Sequence, residues 1–113
     1  MIIYHIADRD GLEKSKESGF YTHPTLESDG FIHASTQEQV IDTANRRFVN
    51  ENELLVLKID TTKLNAEIKF EEASTGEKYP HIYGPVSMGA VLSNFKLSKD
   101  MKGKFIDKNQ GML

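Results

Sequence analysis

The chain has 113 residues, 38% of them hydrophobic and 27% charged, with a net charge of −3, four histidines and no cysteine. That length suits one domain with one modest core, and the acidic balance argues against a broad nucleic-acid-binding face. Disulfides, thiolate metal sites and cysteine nucleophiles are excluded; with no basic leader and no run of ~20 apolar residues to span a bilayer, a cytoplasmic protein with no membrane partner is the expectation.

In chain order, Ile2 to Ile6 reads as a buried strand. Asp8 or Asp10 caps a short helix that ends at Gly19, a left-handed stop. The polar stretch 20–29 contains Pro24 and reads as a loop holding an exposed His23; it leads into a short strand at Phe31 to His33. Ser35 and Glu38 have capping-box spacing, and Val40, Ile41, Ala44 and Phe48 recur at helical intervals, which predicts a second helix over 36–48. Leu54 to Ile59 is a continuous apolar strand suited to the middle of a sheet. Segments 68–72 and 78–82 flank a hairpin loop at 73–77, and Val91 to Leu97 offers a last strand. The domain is taken as 1–97, with 98–113 a polar C-terminal tail that Phe105-Ile106 can anchor. The order predicts an α+β fold, with two N-terminal helices packed on a mainly antiparallel sheet. No Gly-rich phosphate loop follows the first strand, so Rossmann-type and P-loop binding are unsupported.

Three of the four histidines stand at the edges of apolar stretches. Imidazole titrates near neutrality and seldom enters a core without a hydrogen-bonding task, so His5, His33 and His81 predict one polar cleft. For His5, a ligand contact and a structural hydrogen bond are equally good readings. His33 and Ser35 fall on one face at period two and are read as acting on one ligand, His33 in the catalytic position. The capping box instead occupies the Ser35 hydroxyl with a backbone amide, or places it at an anion-binding helix start. His81, between Pro80 and Tyr83-Gly84-Pro85, reads as a cleft wall, and Tyr83 as a stacking ring or a core residue. Arg46 is the candidate phosphate contact, Arg47 the solvated face of the same helix. Three histidines also suit a metal-dependent hydrolase with a water in the fourth position, although no local histidine pair supports it; a non-catalytic module binding a small ligand or a protein tail is the third class.

Four motifs then occur in order: Ile3 to Ile6, Asp29 to Thr36, Thr43 to Arg46 and Pro80 to Pro85. With them the chain closely resembles the bacterial domain-of-unknown-function 952 family, and the resemblance implies an ADP-ribosyltransferase-like fold. A more distant likeness is to RNA 2'-phosphotransferases, through Tyr4-His5, Gly19-Phe20 and His33-Ala34-Ser35. What these resemblances imply is NAD or an ADP-ribose-like nucleotide bound in the histidine cleft, with His5 and Ser35 on the nicotinamide ribose. They also imply transfer of ADP-ribose, in which a glutamate, Glu71 or Glu72, steadies the oxocarbenium-like transition state. Those two alternate along a strand, so only one can enter a cleft. With only Arg9, Arg46 and Arg47, the arginine set of the phosphotransferases is largely missing, which argues against RNA repair.

Overall fold

A computed structural model describes residues 1–107. Strand β1 (Ile2–Ile6) runs antiparallel to β4 (Glu53–Asp60), with Ile3 opposite Ile59 and His5 opposite Leu57; β4 pairs on its other edge with β8 (Val91–Ser98). Leu54, Val56, Leu57 and Ile59 of β4 are all buried, which is why its apolar run does not alternate. A second sheet has the order β3 (Ile32–His33), β6 (Lys78–Tyr83), β5 (Glu67–Glu72), and a small pair joins β2 (Phe20–Tyr21) to β7 (Val86–Ser87). A backbone bridge joins the two larger sheets. Tyr4 donates its N–H to the Ser35 carbonyl at 2.8 Å and Ser35 returns its N–H to the Tyr4 carbonyl at 2.7 Å.

Each side of this junction has its own core. Ile3, Tyr21, Ile32, Leu57 and Ile82 gather on one side; Tyr4, Val40, Ala44, Val56, Phe95 and Phe105 gather on the other. The chain is therefore an α+β domain with antiparallel sheets, as its element order predicts, but the helices differ from expectation. Helix α1 (Arg9–Ser18) is capped by Asp8, whose Oδ2 accepts the Gly11 N–H at 2.8 Å, and stops at left-handed Gly19. Helix α2 (Pro24–Ser28) forms where the sequence reads as a loop. Pro24 opens it, and the His23 ring accepts the Thr25 N–H at 3.1 Å, the task usually given to Ser or Asp.

Helix α3 (Val40–Arg47) starts later than the capping box predicts. Because Ser35 is drawn into the bridge with Tyr4, it cannot also open a helix, and the Thr36 N–H is met by Gln39 Oε1 at 3.0 Å. The proposed tail also enters the fold in part. Phe105 is 1% exposed and packs in the second core, held by Asn45 through both backbone groups at 2.7 and 3.0 Å, while Ile106 stays exposed. Residues 108–113 of that tail lie outside the described residues. Among the described residues, no helix is long and apolar enough to cross a membrane.

Candidate functional site

The junction of the two sheets opens into a cavity of about 400 Å³, within the range of small-molecule sites. Tyr4 and His5 of β1 line it, with His23, Thr25 and Asp29 around α2, His33 and Ser35 after β3, Thr43 and Arg47 of α3, and Tyr79 and His81 of β6. All four histidines therefore reach one space. Among the described residues, however, no three His, Asp or Glu side chains converge so as to hold a metal ion.

His5 is the most constrained of the four. It is 3% exposed, its Nδ1 meets the His33 carbonyl at 2.5 Å and its Nε2 meets the Tyr21 hydroxyl at 2.7 Å. A carbonyl only accepts, so Nδ1 carries the proton and Nε2 accepts from Tyr21. The Tyr21 oxygen in turn accepts the Asp8 N–H at 2.8 Å. Burial pushes the His5 pKa down to about 3, so the ring is neutral at physiological pH. Both ring nitrogens are spent inside the protein. The residue read equally as a ligand contact and a strut is bonded as a strut.

His33 and His81 face each other across paired positions of β3 and β6, ring centroids 5.4 Å apart. Each donates to one carboxylate: His33 Nε2 to Asp29 at 3.0 Å, His81 Nδ1 to Glu71 at 2.9 Å. Gly30, at φ 86°, turns the chain so that Asp29 comes back to His33. Phe31 stacks on His81 at 3.9 Å with an interplanar angle of 12°. Glu71 also accepts from the Tyr83 hydroxyl, and these two bonds, Tyr83 first, hold its carboxyl below the usual range. Period two along β5 sends Glu72 to the other face, where it is exposed. Neither glutamate lines the cavity, and Tyr83 stands beside Glu71 rather than in the wall.

Ser35 is 4% exposed, lines the cavity and donates to Thr43 Oγ1 at 3.3 Å. The two arginines exchange their expected places. Arg46 is tied to Asp42 at 2.8 Å and to the Tyr79 hydroxyl at 2.6 Å and does not line the cavity, whereas Arg47 does. A helix turns 100° per residue, and α3 starts four residues later than expected, so the facing could not be set from the sequence. His23, Phe31, Tyr21 and Asp29 were also missed. The Asp-Gly-Phe-Ile-His run held the only signal, a turn glycine between an acid and a histidine.

The profile of a family described as "Protein of unknown function (DUF952)" matches residues 6–94. The chain belongs to the DUF952 family. Among solved structures, the crystal structure of protein CC0527 from Caulobacter crescentus is similar, with 29% identity over 94% of both chains and a TM-score of 0.81. The solution NMR structure of the same protein gives 30% identity over 91% of this chain and 90% of that one, with a TM-score of 0.75. No curated protein matches. The family match covers every cavity-lining side chain except Tyr4 and His5, so the cleft is largely built from the segment that defines membership.

Proposed function

We propose that the cleft binds a phosphorylated ribonucleoside of the ADP-ribose type, NAD or ADP-ribose itself. The observation that carries this reading is Arg47, a guanidinium lining the cavity with no hydrogen bond or ion pair to its name among the described residues, while Arg46 beside it is committed to Asp42 and Tyr79. A planar, always-charged fork suits a phosphate. Hydroxyls of Thr25, Ser35 and Thr43 line the same space and suit the hydroxyls of a ribose. On this reading the α+β domain is ADP-ribosyltransferase-like, as the sequence resemblance implies. Transfer of the ADP-ribosyl group is the extension of the proposal, and it rests on Glu71, since Glu72 faces away from the histidines.

Calorimetric titration with NAD and ADP-ribose tests it. Saturable binding is expected, weakened about 10-fold or more in Arg47→Ala, the cost of one charge-assisted hydrogen bond. Arg46→Ala is expected to stay within about 2-fold of the parent, because its partners are internal. No binding, or equal losses in both variants, would sink the reading.

A further inference from the structure

His33 and His81 stand 5.4 Å apart on one wall of the cleft, and each has a carboxylate of its own. Each uses one ring nitrogen for that carboxylate; the other, Nδ1 of His33 and Nε2 of His81, makes no bond among the described residues. Two oriented imidazoles with Arg47 lining the same cavity form the set needed to move one proton from a nucleophile and deliver another to a leaving group beside a phosphoryl group. A general acid is useful only where the leaving group is a poor one, an alkoxide rather than a phosphate.

We propose that His33 and His81 are a general acid–base pair that hydrolyses a ribonucleoside 2',3'-cyclic phosphate in this cleft. The inference rests on the reading of the cleft as a nucleotide site and adds its reaction. A strained five-membered diester needs little beyond a general base, a general acid and a cation for its phosphoryl oxygens, the set that the two imidazoles and Arg47 supply. His33, the more exposed ring, takes a proton from water as the water oxygen bonds to phosphorus. The phosphorus–oxygen bond to one ribose carbon breaks, and protonated His81 gives its proton to the departing ribose oxygen. One water is consumed, a phosphomonoester forms, and the pair resets by exchanging a proton with solvent. Arg47 carries the charge on the non-bridging oxygens. Asp29 and Glu71 are positioning residues that fix the ring faces and tautomers. The other groups facing the pair are Tyr83 and Lys69, through Glu71, Arg47, through Asp29, and the neighbouring ring of His23, whose pKa burial lowers.

The test is incubation of the full chain with adenosine 2',3'-cyclic phosphate in the presence of a chelator, read by phosphorus NMR, alongside calorimetry with ADP-ribose. Conversion to adenosine 2'- or 3'-monophosphate is expected, with a bell-shaped pH dependence of kcat/KM. His33→Gln and His81→Gln are each expected to lose about 100-fold or more in kcat. Glu71→Gln and Asp29→Asn are expected to displace one limb of the pH profile with little change in KM, which a merely structural loss would not do. Lys14→Ala, prepared in parallel, is expected to keep the parent rate, and the losses in the histidine variants set against it exclude a contaminant. No product despite Arg47-dependent binding of ADP-ribose overturns the acid–base pair and leaves the binding reading intact. Absence of both product and binding overturns both, and a rate indifferent to His33→Gln and His81→Gln overturns the pair.

Discussion

Tyr21, fully buried, stands between the Asp8 amide and the His5 ring and satisfies both with one hydroxyl. Tyr21→Phe keeps the ring and removes that oxygen, leaving His5 Nε2 and the Asp8 N–H without partners; a loss of about 2 kcal/mol is expected by urea denaturation. A loss under about 0.5 kcal/mol would mean that water replaces the hydroxyl. His5 also makes the fold sensitive to acid. Its pKa falls from 6.5 in the unfolded chain to about 3 in the folded one, so between those values the unfolded state binds the extra proton. The contribution of His5 is therefore complete above pH 6.5 and declines as the pH falls toward 3. The ceiling is ~1.4 kcal/mol per pH unit, and His5→Gln is expected to flatten this part of the stability profile measured by denaturation at several pH values. The same bonding predicts that substitutions of His5 act on stability first. Ligand affinity measured on the folded fraction should move only through the His33 carbonyl that His5 holds.

Helix α1 shows an element governed by what lies beside it. Gly11 lies in its first turn, where alanine is ordinarily better by ~1 kcal/mol. A β-carbon there would sit 2.2 Å from the Thr22 carbonyl oxygen, a backbone atom of the segment joining β2 to α2. Gly11→Ala is thus expected to destabilise by about 1–3 kcal/mol despite the gain in propensity, measurable as a lowered urea midpoint with the slope unchanged. A neutral or stabilising result would show that the α2 entry can shift at little cost. The legible elements were those with a local signal. β4 announced itself by an apolar run, the β5–β6 hairpin by its turn residues, and α1 by Asp8 and Gly19. Helix α2 is only five residues long and is capped by an imidazole, which no helix-start rule anticipates. The start of α3 was misread because Ser35 has two suitors, and the backbone bridge to Tyr4 prevails over the cap.

Across the whole molecule, the segment after β8 closes the second core. Phe105 packs with Tyr4, Val40, Phe95 and Leu97, and Lys99 pairs with Phe105 in an antiparallel bridge. Phe105→Ala is expected to cost about 3–5 kcal/mol, a fall of about 10 °C or more in Tm by calorimetry. Removing residues 99–113 should do at least as much, whereas a truly loose tail would leave Tm unchanged. Because Tyr4 belongs to this core and also lines the cleft, loosening it should weaken ligand binding as well as stability.

By itself the sequence determined the α+β fold class, the central strand and the hairpin, and it singled out the histidines at the edges of apolar stretches. These follow from hydrophobic periodicity and from residue types that rarely sit idle among apolar neighbours. Only the tertiary structure decided which histidine is a strut and which two share a wall, that Glu71 rather than Glu72 turns toward them, and that Arg47 rather than Arg46 reaches the cavity. The reason is physical: a side chain's role depends on which of its polar atoms are already bonded. Those partners come from the Tyr4–Ser35 junction, the turn at Gly30 and the Asp8–Tyr21 pair, contacts between segments that no local spacing encodes.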